Sequence, residues 1–391
     1  MTTSIFKLKI ANIMTARPVG KILFGMAGLF LVAIGLIAVT GCGGASTGNA
    51  KTNPGGNVPG GPTASKVYVG NFLSSNVTVI DGATNATATV LVGANPLAIA
   101  ANPTTNKIYI VNGVGKTVNV IDGATGSITA TVPVGKSPEA IGINATTNRI
   151  YVANTGDNTV VVIDGADNFT TTINVGTFPT SVGVNPATNK IYVANAMSSN
   201  VTVIDGATDA TTTVPVGNAP EVIAVNPTTN KIYVSSGLNN NVTVIDGATN
   251  ATVTVPAGGS IAQIAINLTT NKIYVVNRAD NTITAIDGAD NFTATVAVGA
   301  TPSAVAINPT TNKIYVLNSG DNSVTVIDGA TNNTSTVAAG TSLGGQIAVN
   351  PGANKIYVTN FNGNNVTVID GATNNTTIVP VGNGPAALVV N

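Results

Sequence analysis

All eight tyrosines of the chain stand at one position of a repeat: Tyr68, Tyr109, Tyr151, Tyr192, Tyr233, Tyr274, Tyr315 and Tyr357 follow one another at intervals of 41 or 42 residues. An Ile-Asp-Gly triplet keeps the same period at Asp81, Asp122, Asp164, Asp205, Asp246, Asp287, Asp328 and Asp370. A unit of this size cannot bury its apolar residues by itself. It buries them against its neighbours, so the copies must stack.

Each copy contains four short runs rich in Val, Ile and Thr. They are separated by Asn-Pro-Thr-Thr-Asn (as at 102–106), a loop such as Asn-Ser-Gly-Asp-Asn (318–322), Asp-Gly-Ala-Thr-Asn (81–85) and Gly-x-x-Pro (93–96). These are strands and turns. Pro presets φ in the first turn, the closing Asn tolerates a left-handed backbone, and the Asp of Asp-Gly-Ala-Thr accepts hydrogen bonds from the backbone just ahead of it. No apolar periodicity of 3.6 residues outlasts a single turn beyond the N-terminal segment, so helix is disfavoured. Four antiparallel strands in about 40 residues have the dimensions of a propeller blade, and the fold class is all-β. The innermost strand supports this. It carries Ala100, Gly142, Gly183, Ala224, Ala265, Ala306 and Ala348 at one position, small residues where blades converge.

Lys-Ile-Tyr-Val-Ala-Asn (190–195), Val-Thr-Val-Ile-Asp-Gly (201–206) and Thr-Val-Pro-Val-Gly (213–217) resemble the repeat of the YVTN β-propeller family. That family includes YncE-like proteins and surface-layer proteins and is related to lactonase-like propellers. The resemblance covers residues 66–391 and implies a β-propeller. Its members are commonly seven-bladed, whereas this chain has eight copies. With the strands named a to d from hub to rim, the repeat region starts on a strand b (Lys66 to Asn71) and stops on a strand a (Ala386 to Asn391). Eight blades are therefore expected, one of them built from N-terminal b, c and d strands plus the C-terminal a strand. Seven blades, the alternative, would leave a whole unit with unpaired edges.

Residues 1–21 carry Lys7, Lys9, Arg17 and Lys21 and no acid, and an apolar run follows from Ile22 to Val39. This is the pattern of an export signal. Val39-Thr40-Gly41-Cys42 resembles a bacterial lipobox, which implies cleavage after residue 41 and lipidation of Cys42. A plain N-terminal membrane anchor is the alternative, since the run approaches the ~20 residues a span needs. Either way the propeller is exported to the cell envelope. Gly43 after the Cys, in place of an Asp, favours the outer membrane where there is one. Residues 42–65 then form a Gly- and Pro-rich tether spanning roughly 25 to 30 Å as a flexible coil. The lipid bilayer is thus the first expected partner, through acylated Cys42.

Composition closes off several chemistries. The chain has no His, no Trp and one Cys, so it offers no imidazole base or ligand and no intrachain disulfide. The mature chain has 12 basic and 16 acidic residues, a net charge of −4, and few aromatics, which disfavours nucleic acid. No metal site or cofactor is specified.

Turns a-b and c-d lie on one face of the ring, loops b-c and d-a on the other. On the turn face a Lys or Arg opens every strand b beside the Asp that ends strand c, and these read as turn-forming Asp and exposed cross-strand neighbours. The copies differ on the loop face. Its b-c loops run NFLSSN, NGVGKT, NTGDNT, NAMSSN, SGLNNN, NRADNT, NSGDNS and NFNGNN. The binding candidates there are Lys136, Glu139, Phe178, Glu221, Gln263, Arg278 and Gln346, at the channel mouth. Glu139 and Glu221 are the only glutamates, in the same slot of blades two apart. The expected function is that of a monomeric, non-enzymatic envelope lipoprotein binding a protein or small ligand on the loop face. The alternatives are a lactonase-like hydrolase acting through the two Glu in the axial cavity, against which the missing His counts, and a self-associating surface coat.

Overall fold

The computed structural model describes residues 65–340 and 345–391. The signal segment, Cys42 and the tether up to residue 64 lie outside the described residues.

The described chain is an eight-bladed β-propeller with four antiparallel strands per blade and no helix. Blade 1 joins the two ends of the chain. It contains β1 (Lys66–Asn71), β2 (Asn76–Asp81), β3 (Thr87–Leu91) and, on the inner edge of β1, β32 (Pro385–Val390). Tyr68 pairs with Val389 and Val69 with Leu388, and the Lys66 and Asn391 backbones exchange two hydrogen bonds of 3.1 and 2.9 Å. Blades 2 to 8 follow in chain order, each starting on its hub strand: β4 (Pro96–Asn102), β8 (Pro138–Asn144), β12 (Pro179–Asn185), β16 (Ile223–Asn226), β20 (Ile261–Asn267), β24 (Pro302–Asn308) and β28 (Ile347–Asn350).

Both faces of a blade are covered by its neighbours. That is why strands b and c, such as Lys190–Asn195 and Asn200–Asp205, are almost continuously apolar and buried. The rim strands, such as Thr211–Pro215, are Thr-rich and largely exposed, with one Val turned inward. Eight apolar cores fill the eight seams between blades, and each holds one of the tyrosines. The seam between blades 8 and 1 is built like the rest: Tyr357, Val366 and Val368 pack on Val67, Val69 and Leu388. Small residues at the hub are a steric requirement. A β-carbon on Gly142 would stand 2.8 Å from Val182 of the next blade, and one on Gly183 2.5 Å from Ile223.

The turn face is closed by hydrogen bonds that step from blade to blade. Lys66 and Asp81 are cross-strand partners, but the Lys66 ammonium donates instead to the Gly123 carbonyl of blade 2 at 2.7 Å. The step recurs at Lys107, Arg149, Lys190, Lys231 and Lys272, and Lys355 of blade 8 donates to Gly82 of blade 1. Seven of the eight basic residues opening strand b are therefore half-buried links between blades, which corrects the expectation of exposed neighbours within one blade. A second set of links joins the hub-strand Asn to the next blade's turn, from Asn102 to Asn148 (2.9 Å) through to Asn391 to Asn106 (2.6 Å). The triplet Asp forms the expected turn: Asp81 Oδ1 accepts from the Ala83 and Thr84 amides and the Thr84 hydroxyl. Those bonds, led by the Thr84 amide, hold the Asp81 carboxyl below the usual range.

Candidate functional site

On the loop face most polar side chains are also committed. The fourth residue of the b-c loop accepts a backbone amide from the d-a loop entering the same blade: Ser74 from Asn383, Asp157 from Lys136, Ser198 from Thr177, Asn239 from Asn218, Asp280 from Gly259 and Asp321 from Ala300. The three aspartates of this face thus shape loops. Asp157 also holds the Lys136 ammonium at 3.3 Å and is pulled down in pKa, first by the Lys136 amide and further by the charges of Lys136 and Lys116.

Glu139 and Glu221 are left without such a role. Glu139 is the second residue of hub strand β8 and Glu221 holds the aligned position just ahead of β16, in the ring Leu97, Glu139, Thr180, Glu221, Ala262, Ser303, Gly345 and Ala386 at the loop-face end of the channel. Both are half-buried, and among the described residues neither carboxylate makes an ion pair. Burial, and then the charge of Glu221, push the Glu139 carboxyl up to about 7; burial alone raises Glu221. The structure therefore brings the two glutamates into one electrostatic neighbourhood, with Thr180 on the blade between them. The Thr180 hydroxyl lies 3.2 and 3.3 Å from the Pro220 and Glu221 carbonyls, tying blade 4 to the loop that carries Glu221. Space for Glu221 comes from Gly237, where a β-carbon would lie 3.3 Å from its Oε1. Neither Lys136 nor Arg278 figures among the charges acting on the pair. Lys136 is drawn to Asp157, and Arg278 sits half-buried on the b-c loop of blade 6.

The two glutamines are placed differently. Gln263 and Gln346 fall one residue after the glutamate slot, and there the side chains are buried. Gln263 is buried and its Oε1 accepts the Val305 amide of blade 7 at 2.5 Å. Gln346 is buried too, and its backbone N–H donates to Thr359 Oγ1 at 2.7 Å. Phe178 is half-buried on the loop into blade 4, with φ at 60°.

Four residues not singled out from the sequence complete the face. Leu73, Val114, Met197 and Leu238 are the third residue of the b-c loop in blades 1, 2, 4 and 5, and each is more than 60% exposed. An internal alignment of the eight loops shows them as Leu, Val, Met and Leu in one column, against Gly, Ala, Gly and Asn in the other copies. Phe72 and Phe361, with ring centroids 6.5 Å apart, extend the apolar rim into blade 8. Among the described residues no three His, Cys, Asp or Glu side chains gather as a metal cluster would require.

No family model matches the chain, and no curated protein matches it either. Solved structures do resemble it. The dihydro-heme d1 dehydrogenase NirN in complex with DHE is 14% identical with a TM-score of 0.72, over 85% of this chain and 77% of that one. AztD from Citrobacter koseri is 16% identical with a TM-score of 0.67, over 84% of this chain and 99% of that one. Hydrazine synthase of Kuenenia stuttgartiensis is 19% identical with a TM-score of 0.56, over 73% of this chain and 95% of that one. At these identities the likeness is one of fold, and it places the chain among the β-propellers.

Proposed function

We propose that this chain is an envelope lipoprotein of the YVTN-repeat type, tethered through acylated Cys42, which works without catalysis as a monomeric propeller binding a protein or small ligand on its loop face. The observation that carries this reading is the division between the two faces. On the turn face the charged groups are spent on repeated links between blades. On the loop face the copies differ, Glu139 and Glu221 make no ion pair among the described residues, and four apolar side chains stand exposed.

Two measurements test this. Mass spectrometry of the mature N-terminus is expected to find acylated Cys42, and an intact Met1 overturns the lipoprotein. In cells, a photo-crosslinking residue in place of Met197 on the loop face is expected to give discrete adducts, and one in place of Ala207 on the turn face none. Adducts from the turn face alone would overturn the assignment of faces.

One observation favours a second reading, a hydrolase of lactones or esters. A carboxyl held near neutrality beside another carboxylate is suited to general acid–base work. Under that reading, Glu139→Ala with Glu221→Ala abolishes turnover of a lactone panel; under the first, the parent protein shows none.

A further inference from the structure

The half of the loop face formed by blades 1 to 5 combines two features that the fold does not require. Its rim presents Leu73, Val114, Met197 and Leu238, with exposures of 63, 69, 68 and 66%. Its hub presents Glu139 and Glu221 from blades 3 and 5. We propose that this half-ring is a docking surface for a segment of a partner protein carrying a basic side chain among apolar ones, the rim seating the apolar residues and the glutamates receiving the cation.

Three arguments select this occupant. The four apolar side chains stand on four separate blades, 1, 2, 4 and 5, an arrangement around the rim that suits an extended polypeptide rather than a compact small molecule. Its charge follows from what is left over. Asp157, Asp280 and Asp321 are bound to loop amides, so the two glutamates are the loop-face carboxylates without a bonded partner among the described residues. The lysines of the same arc, Lys116 and Lys136, act on Asp157, and neither neutralises the pair. A cation arriving from outside would satisfy two half-buried acids whose like charges oppose each other. The whole propeller agrees in sign, with 11 basic against 16 acidic residues between 66 and 391.

The inference rests on the loop face being the recognition surface, and the test separates the two. Two labelled peptides serve as probes of the full chain by fluorescence anisotropy: Gly-Leu-Phe-Lys-Leu-Leu-Gly, and its counterpart with norleucine for lysine. The lysine peptide is expected to bind at least tenfold more tightly. Glu139→Gln with Glu221→Gln is expected to remove that preference without changing the thermal transition by more than a few degrees. Leu73→Ser with Leu238→Ser is expected to weaken both peptides alike. Equal binding of the two peptides, a preference that survives in the Gln variant, or occupation of the surface by a second copy of the chain in sedimentation each overturns the proposal. Should the Met197 crosslinker still give adducts in that case, the loop face stands as the recognition surface and only the chemistry of its partner is refuted.

Discussion

Phe178 sits in a backbone slot with φ at 60°, which six other blades fill with Asn95, Ser137, Ala219, Ser260, Thr301 and Gly384. A bulky residue there costs on the order of 1 kcal/mol, against which its half-buried ring recovers a similar amount. Phe178→Asn is therefore expected to unfold within about 1 kcal/mol of the parent. Its effect belongs in loop-face binding, measured by the anisotropy of the lysine peptide. Glu139 gives a prediction in pH. Its carboxyl titrates at about 7 in the folded chain, against an ordinary 4.5. Between those values the folded protein holds a proton that the unfolded chain has released, so stability falls as pH rises through the window and levels off above it. Denaturant melts should show Glu139→Gln gaining about 1–2 kcal/mol on the parent between pH 4.5 and 7.5, the full shift being reduced by solvent at a half-buried site. A parallel pair of curves would refute the raised value. The two glutamates were legible as candidates because they are the only ones and share a slot. The burial of the glutamines was not legible, since it depends on the neighbouring blade: Gln263 accepts the amide of Val305 there.

At the scale of the strand, hub geometry is the tightest constraint. Gly183→Ala places a β-carbon 2.5 Å from Ile223 and 2.8 Å from Val225, both on the neighbouring hub strand. Overpacking of this kind is expected to cost about 1–3 kcal/mol in a denaturant melt, although alanine is the better strand residue. An unchanged midpoint would mean that blades 4 and 5 are not in contact there. The strand limits and the turn Asp were legible from one copy, because each depends on residues within a blade, whereas the small-residue column emerged from aligning the copies, its constraint lying between blades. The lysine links were not legible. The acceptor of Lys66 is Gly123, on the next copy, and nothing within a single repeat states which neighbour a side chain will reach. The Arg149 site shows what a comparison between copies adds. Arg149 stands where seven copies have Lys, and it meets Asp209 of the next blade at 2.8 Å, where other copies mostly have Asn.

For the whole molecule, closure decides whether there are two faces at all. Eight seams, each with its tyrosine, and links running from Lys355 to Gly82 and from Asn391 to Asn106 leave no open blade edge at the hub. The burial that fills the seams also pushes the phenols, such as Tyr68 and Tyr192, up to about 12, with the next blade's Asp adding to the shift. All of this rests on β32 completing the blade that β1 begins. The direct measurement is thermal unfolding, followed by circular dichroism, of the chain cut after Gly384. Without residues 385–391, β1 becomes an exposed edge and the cores on both sides of blade 1 lose Leu388 or Val389. The closed ring predicts that the cooperative transition collapses or that the chain aggregates; a melting curve indistinguishable from the parent's would contradict it.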